Sequence, residues 1–338
     1  MKNKTVKIYT LYQSLNFGAF FQAYALQIFL SSIGYNVEFC KINNNIKSEI
    51  KNYIIRKDIR KIPINYIQYK KYKKVWPLLQ INNQNVRNAI ACIVGSDEIW
   101  NIKNNSFYHA PEYFGYQIDN KNIISYAPSS NLTTKDDLKK FNPNINFEKF
   151  SSISVRDKNS QLLVHDVCKK RPIIVLDPTM LLQSYNCMEV KVKVKDKYIL
   201  VYGYKFSKKE IREIKKVAKN SKLKLYSIGM PLMWCDKQIT ATPFEFLAYI
   251  NNAEFVITET FHGTIFSILY NKNFVSYVNE KPKLKDLLEK FDLLDRDVSI
   301  NHNLDKKIHE KIDYHKVNKI LKKERSKSIN WLIKAIED

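Results

Sequence analysis

Short apolar runs and amphipathic segments alternate along most of this chain. Runs rich in Val, Ile, Leu and aromatic residues predict strands at 6–11, 36–42, 89–94, 122–127 and 152–155. Apolar residues at three- and four-residue intervals predict helices at 19–31 and 158–167. A second series starts near Arg171, with strands at 173–176, 198–202, 224–228 and 255–258 and helices at 208–219 and 243–250. Because strands that alternate with helices form parallel sheets, the pattern predicts an α/β protein.

The two series of strands predict two Rossmann-like domains that face a cleft, which is the glycosyltransferase B-type arrangement. We expect the N-terminal domain at 1–168, with a basic helical insertion at about 44–87. The C-terminal domain is expected at 169–325. Residues 326–338 have apolar side chains at helical spacing, and we expect this last helix to pack back on the N-terminal domain.

Polar residues mark the junction between the predicted strand 255–258 and the helical pattern after it. Thr258 and Glu259 end the apolar run, and His262 and Gly263 precede a helical pattern that starts near Thr264. In open α/β sheets, ligands bind at the carboxyl ends of strands, where helix N-termini present backbone N–H groups to anions. The chain has seven glycines, about a third of average usage, so each glycine indicates a position that needs one.

Four further segments lie at comparable junctions. With the junction above, the five read LNFGAFFQAYALQ at 15–27, VGSDEIWN at 94–101, SVRD at 154–157, LDPT at 176–179 and FHG at 261–263. In this order and spacing the chain resembles the polysaccharide pyruvyltransferase family, from about Tyr9 to Arg296. The resemblance implies an enzyme that moves the enolpyruvyl group of phosphoenolpyruvate onto a sugar as a ketal, and it implies the same two-domain arrangement.

The donor pocket must bind a carboxylate and a phosphate. By resemblance, His262 matches the histidine of the family's FHG motif, and we expect it to be catalytic and to bind the donor together with Gly263 and Thr264. Arg156 suits the anions because its planar fork binds two oxygens at once. Lys283 stands where relatives often carry arginine, so it keeps the charge of a phosphate contact but loses the bidentate geometry.

These donor-side residues also have structural interpretations, which the sequence leaves open. The alternative for His262 is a helix cap bonded to local backbone, and the alternative for Arg156 is a salt bridge with Asp157 or Glu148. Glu259 stands where the family more often has a small polar residue. It is interpreted as a proton carrier in catalysis, as a group that holds His262 in one tautomer, or as an exposed carboxylate.

On the acceptor side, Asp97 is the candidate base for a sugar hydroxyl. Asn16, Gly18, Ser96 and Trp100 are assigned to acceptor binding. The glycine would let a ligand approach closely, and the indole would offer a flat face on which a sugar stacks. A core tryptophan behind the turn is the alternative for Trp100.

The Asp177-Pro178 pair is predicted to follow the first strand of the second domain. Aspartate before proline is a common turn device, so structural and functional interpretations of Asp177 stand level.

Composition narrows the chemistry. The five cysteines are scattered without Cys-x-x-Cys spacing, so neither a disulfide framework nor a zinc site is expected, and the pattern fits a reducing cytoplasm. No run of about 18 apolar residues indicates a membrane span, and the N-terminus lacks a signal-peptide core. We expect no cofactor or metal, with phosphoenolpyruvate as co-substrate.

The net charge of +23 requires a separate interpretation. Between residues 50 and 74, isoleucines and tyrosines alternate with cations, which is typical of a basic helix on an anionic membrane surface. A solvated helix face is the alternative. No zinc finger, RNP aromatic pair or basic zipper is present, so no nucleic-acid partner is expected. The predicted location is cytoplasmic, with peripheral attachment to the inner face of the cell membrane if the basic stretch binds lipid.

Three functions are therefore compared. The first is pyruvyl transfer to a sugar of a capsular, exopolysaccharide or cell-wall precursor, carried on a lipid. The second is a glycosyltransferase of the same fold that uses a nucleotide-sugar, because a fold does not fix a function. The third is a nonenzymatic sugar-binding relative. The five motifs favour the first.

Overall fold

Two parallel sheets organise the protein. The computed structural model describes residues 4–12, 14–42, 59–82, 86–105, 108–300 and 303–338. The first sheet has the strand order β2-β1-β3-β4-β5-β6. Its strands are β1 (Thr5–Tyr9), β2 (Asn36–Phe39), β3 (Ala91–Val94), β4 (Ile123–Ser125), β5 (Ser152–Val155) and β6 (Ile173–Ile174).

The second sheet has the order β11-β10-β7-β8-β9. Its strands are β7 (Tyr198–Tyr202), β8 (Lys224–Ile228), β9 (Lys237–Ile239), β10 (Phe255–Thr258) and β11 (Phe274–Ser276). In both sheets each pair of neighbouring strands is parallel. The prediction of two parallel α/β units is confirmed.

Helices connect the strands. They are α1 (Phe17–Ser32), α2 (Ile62–Val75), α3 (Lys135–Phe141), α4 (Lys158–Cys168), α5 (Lys208–Asn220), α6 (Pro243–Asn252), α7 (Phe261–Leu269), α8 (Pro282–Lys290), α9 (Leu304–His309) and α10 (Tyr314–Glu337). Several start at local capping signals. Ser207 and Thr242, for example, each begin a capping box with a glutamate three residues on.

Strand β6 corrects one sequence assignment. The segment 173–176 was predicted to open the second series, but Ile173 pairs with Ser154 and Ile174 with Val155, so β6 is the edge strand of the first sheet. The strands of the second sheet begin at Tyr198. An apolar run does not reveal which sheet it joins, because strand pairing depends on residues distant in sequence.

Helix α1 joins the two units. Its residues are almost all buried, and the ring of Phe17 stacks on Phe246 of α6 at 4.4 Å between centroids. Phe21 lies 5.0 Å from Phe266 of α7. One apolar cluster therefore runs through both units. An interface of this kind holds the cleft-facing ends of the two sheets in a defined relation.

The C-terminal helix α10 is longer than the predicted helix at 326–338 and contacts the first sheet. The amide of Leu176 donates to Ser328 Oγ at 2.9 Å. Asn122 Nδ2 donates to the carbonyls of Ala335 and Ile336 at 3.2 and 3.3 Å.

The predicted basic insertion is described only in part. Residues 44–58 and 83–85 of it lie outside the described residues, and the described part forms α2 with a short helical turn on either side. None of the described helices combines the length and apolar composition needed to cross a bilayer.

Candidate functional site

A buried carboxylate, Asp177, lies where the two sheets meet. It follows β6 and begins the turn Pro178–Met180. Its Oδ1 accepts from the amide and hydroxyl of Thr179, at 3.0 and 2.7 Å. Its Oδ2 accepts from Arg156 Nη1 at 2.8 Å and lies 3.4 Å from His262 Nε2. Asp177 therefore lies between the guanidinium of Arg156, which follows the first sheet, and the imidazole of His262, which follows β10 of the second.

The charges around Asp177 keep its carboxyl ionised. Burial alone would raise its pKa, but the neighbouring His262 and the guanidinium of Arg156 lower the pKa well below its usual range. Nε2 of His262 is not aligned with any acceptor for a hydrogen bond among the described residues, so its contact with Asp177 is mainly electrostatic.

Arg156 is buried and only partly satisfied. It follows β5, is 5% exposed, and stacks its guanidinium on the ring of Phe261 at 4.3 Å. Nη2 lies 3.8 Å from Asp97 Oδ1, and neither Nε nor Nη2 donates a hydrogen bond to a described residue. Buried donors without partners are costly, so this guanidinium is suited to an anion.

The salt bridge predicted for Arg156 is made with a different residue. Neither Asp157 nor Glu148 is its described partner. Asp157 instead caps α4 by accepting from the amide of Ser160.

A pocket of about 340 Å³ lies beside Arg156. Arg156 and Asp177 line it from the first unit, and Phe261 and Lys283 from the second, with Leu287 among its apolar walls. Ten of its sixteen lining residues are charged, five as cations and five as carboxylates, and the other six are apolar. A concave pocket with convergent charged groups is a common form of small-ligand site.

Lys283 brings a second cation to the pocket from the start of α8. Its ammonium contacts the carboxylate of Glu98, which follows β3 of the first sheet. Burial lowers the pKa of Lys283 to about 8, and the charge of Asp97 opposes that shift. The side chain therefore remains largely charged at neutral pH.

His262 occupies space that Gly18 leaves open. A Cβ at Gly18 would lie 1.9 Å from Nδ1 of His262. The prediction that Gly18 admits a ligand is wrong, because the group that approaches it is the imidazole. The local-cap interpretation of His262 is also wrong, since Thr260 caps α7 by accepting from the amide of Gly263.

Gly263 and Thr264 use their polar groups inside the second unit. The Gly263 amide is bonded to Thr260, and a Cβ at Gly263 would lie 2.2 Å from Thr258 Oγ1. The hydroxyl of Thr264 is fully buried, 3.2 Å from the Thr260 carbonyl and 2.7 Å from Ser276 Oγ. Neither residue presents a polar group to the pocket, contrary to their assignment to donor binding.

Glu259 is buried and holds the loop after β7. Its Oε1 accepts from the amides of Tyr204 and Lys205, at 2.5 and 2.6 Å, and its Oε2 accepts from Lys281 at 2.7 Å. The interpretation as an exposed carboxylate is wrong. Its described hydrogen bonds do not include His262, so they give no support to control of the tautomer.

The turn after β3 brings Ser96 and Asp97 to the cluster. The Ser96 hydroxyl is fully buried and donates to the Ala127 carbonyl at 2.8 Å, with Asp177 Oδ2 at 3.3 Å. The buried Ser96 hydroxyl therefore supports Asp177 and does not face a sugar acceptor. Asp97 has a left-handed φ of 70° and a partly exposed side chain, whose Oδ1 accepts from the amide of Glu98.

Asn16 and Trp100 are the two remaining residues that were assigned to acceptor binding. Asn16 caps α1 through the amides of Gly18 and Ala19, and its Nδ2 donates to Tyr204 Oη at 2.6 Å, across the two units. Trp100 is fully buried and donates to the Tyr113 carbonyl, so the prediction that it stacks on a sugar is wrong. Trp100 is therefore a core residue behind the turn, which was the alternative interpretation.

The structure thus brings together Arg156, His262, Asp97, Ser96 and Lys283. The sequence assigned no site role to Glu98 and left Asp177 undecided. Both residues lie in segments that carry the family resemblance, Asp177 in LDPT and Glu98 in VGSDEIWN, but neither segment shows that its carboxylate reaches the cluster. Across the described residues, no group of three or more His, Cys, Asp or Glu side chains is placed to hold a metal ion.

Comparisons with known proteins identify the family and the fold. The family model described as "Polysaccharide pyruvyl transferase" matches residues 16–282. No curated protein matches the sequence. The fold is similar to UDP-N-acetylglucosamine 2-epimerase from Rickettsia bellii, with a TM-score of 0.52, 8% identity, and coverage of 98% of this chain and 96% of that one.

Two other solved structures have lower scores. They are UDP-GlcNAc 2-epimerase from Neisseria meningitidis bound to UDP-GlcNAc (TM-score 0.45, 10% identity, coverage 96% and 99%) and the glycosyltransferase SnogD from Streptomyces nogalater (TM-score 0.45, 8% identity, coverage 99% and 100%). At these identities the likeness concerns the fold alone. With the two parallel sheets, the Rickettsia likeness confirms the predicted glycosyltransferase B-type arrangement.

Proposed function

This chain belongs to the polysaccharide pyruvyl transferase family, and we propose that it transfers the enolpyruvyl group of phosphoenolpyruvate to a sugar. The product is a pyruvate ketal on a precursor of a capsule, exopolysaccharide or cell wall, and phosphate is released. The acceptor we propose is a lipid-linked sugar, and the reaction needs no cofactor.

The observation that carries this proposal is the state of Arg156. Its guanidinium is buried, lines the pocket, and has two nitrogens without a hydrogen bond to any described residue. Asp177 uses one of its nitrogens, so the remaining donors suit a ligand carboxylate or phosphate. Lys283 lines the same pocket and supplies the second cation that a ligand with two anionic groups requires.

His262 is the proposed proton donor to the methylene carbon of phosphoenolpyruvate. The buried carboxylate of Asp177 lies 3.4 Å from Nε2, so it faces the imidazole that takes part in this step. Asp97, which lies 3.8 Å from the Arg156 guanidinium, is the proposed base for the attacking hydroxyl.

Asp97 and His262 together carry the protons that move in the reaction. The first sugar hydroxyl attacks the central carbon and gives its proton to Asp97, while His262 protonates the methylene carbon to a methyl group. The carbon–oxygen bond to phosphate then breaks, and the leaving phosphate takes the proton from Asp97. The second hydroxyl adds to the same carbon and returns a proton to His262. Arg156 and Lys283 stabilise the charge that moves onto the phosphate.

The test is phosphate release from phosphoenolpyruvate with a soluble galactoside as acceptor. Release should require both substrates, and His262→Ala should abolish it, whereas His165→Ala on the exposed face of α4 should not change it. Losing such a group typically costs roughly 100-fold or more in rate. Consumption of a nucleotide-sugar without any need for phosphoenolpyruvate would instead support a glycosyltransferase.

A further inference from the structure

Helix α2 buries two polar side chains together with Tyr72 and Val75, and it leaves apolar side chains exposed. Its buried residues include Asn65 and Gln68, both almost fully inaccessible to solvent. Its outward face consists of Pro63, Tyr66, Ile67, Lys70, Lys73 and Lys74, here called the α2 surface. A surface helix normally buries its apolar stripe. The exposed isoleucine and tyrosine are therefore not explained by the packing of α2.

Contacts on the buried face fix which residues point outward. Gln68 pairs with both backbone groups of Ala241, donating to its carbonyl at 2.6 Å and accepting from its amide at 2.9 Å. Lys71 donates to the Thr240 carbonyl and to Glu245, both at 2.9 Å. These bonds tie α2 to the start of α6 in the second unit, so the α2 surface is held in one orientation.

The α2 surface combines positive charge with exposed apolar side chains. Residues 59–82 contain six Lys or Arg and no Asp or Glu. Tyr66 and Ile67 are 46% and 48% exposed, and Ile59 next to the helix is 78% exposed. Among the described residues, no carboxylate lies within ion-pair distance of the three lysines of this surface.

We propose that the α2 surface docks the protein on an anionic lipid bilayer. Lysines that flank aliphatic and tyrosine side chains bind lipid headgroups while the apolar groups enter the interface. A protein partner fits less well, because protein interfaces are depleted in lysine. Nucleic acid would engage the lysines but leave the isoleucines without a role.

The surface lies close to the candidate site. Tyr72, on the buried face of α2, stacks on Phe17 at 5.5 Å. Phe17 is the first residue of α1 and stands between Asn16 and Gly18. Docking through α2 would therefore hold the beginning of α1, and the site next to it, close to the membrane. The inference goes beyond the proposed reaction and is tested without phosphoenolpyruvate.

The test is sedimentation of the full chain with vesicles at low salt. Binding is expected to vesicles of phosphatidylcholine mixed with phosphatidylglycerol and not to phosphatidylcholine alone, and high salt should release it. Replacing Lys70, Lys73 and Lys74 by Gln should weaken binding roughly 100-fold, since each cation near an anionic surface contributes about fivefold. The matched control replaces Lys215, Lys216 and Lys219 of α5 by Gln, which removes the same charge from another exposed face.

A second variant tests the apolar part of the surface. Ile59→Ser with Ile67→Ser keeps every charge, and it should weaken binding roughly tenfold because two inserted side chains are lost. An inert protein on anionic vesicles, equal losses in the α2 and α5 lysine variants, or no effect of the isoleucine changes would overturn the proposal. Binding of a duplex DNA probe through the same lysines, with no vesicle binding, would do so in favour of nucleic acid.

Phosphate release with a soluble acceptor separates this inference from the proposed function. The α2 lysine variant should keep that activity, because none of its three positions belongs to the candidate site. Loss of vesicle binding with normal phosphate release supports docking. Vesicle binding by a chain that never releases phosphate would contradict the proposed reaction and would still support docking.

Discussion

The two sides of the cluster around Asp177 use their polar groups in different ways. On the side of the second sheet, the turn from Thr258 to Thr264 is self-sufficient, since its threonine hydroxyls and the Gly263 amide bond to one another or to neighbouring backbone. On the side of the first sheet, the buried guanidinium of Arg156 keeps two nitrogens without a described partner.

The satisfied turn is typical of a scaffold, whereas the unsatisfied guanidinium of Arg156 is typical of a binding group. A turn that satisfies its own donors is stable before any ligand arrives, and it holds His262 in place. A buried cation with spare donors is stabilised when an anion binds. In the proposed reaction, the second unit supplies the positioned imidazole and the ammonium of Lys283, whereas the first unit supplies the guanidinium with spare donors.

The largest effect is expected for Asp97, the proposed base of the first-sheet side. Asp97→Asn should reduce turnover by ~100-fold or more, because the attacking hydroxyl loses its proton acceptor. The affinity for phosphoenolpyruvate should stay unchanged. Steady-state kinetics and direct titration of phosphoenolpyruvate give the two values. A matching loss of affinity would place Asp97 in the donor pocket.

Asp177→Asn should lower the free energy of unfolding by about 3–5 kcal/mol at neutral pH, because it leaves buried cations uncompensated. The folded-state pKa of Asp177 lies below its unfolded value of about 4, so the stabilisation is present above that pH and is lost as the pH falls through the folded pKa. Urea unfolding at neutral and at acidic pH should show the difference between variant and wild type shrinking in acid. A difference that does not depend on pH would contradict the ionised state.

Gly18→Ala tests whether the His262 ring of the second unit needs the space that the missing side chain of Gly18 leaves in the first unit. The new methyl would overlap the His262 ring, and overpacking typically costs about 1–3 kcal/mol of stability. In a His262→Ala background the same change should cost little, because the obstructing ring is gone. Thermal unfolding of the four proteins in this cycle measures both costs. Equal costs in the two backgrounds would mean that Gly18 serves another purpose.

The sequence predicted nine of the eleven strands found among the described residues and missed β9 and β11, which have three residues each. Apolar runs identified strands such as β7 and β10, and apolar residues at helical spacing identified helices such as α5 and α6. The assignment of β6 failed because its two residues resemble any other short apolar strand. Its membership in the first sheet depends on pairing with β5, a contact that the local pattern does not encode.

The site was less predictable because its residues come from both units. The sequence identified Arg156 and His262 at strand ends, but it could not show that Asp177 lies between them. Trp100 illustrates the converse error. An aromatic residue near a turn points to the core or to a ligand according to its backbone orientation, and here the indole is buried.

The most direct test of the central claim is the affinity for phosphoenolpyruvate, measured by calorimetry without an acceptor. Arg156→Ala should weaken binding roughly 30-fold or more, and Arg156→Lys, which keeps the charge but not the fork, should lie between. Thr264→Val, on the self-sufficient side, should bind like the wild type if circular dichroism shows the fold intact. Wild-type affinity in a folded Arg156→Ala, or a large loss in Thr264→Val, would contradict the assignment of an anion contact to Arg156.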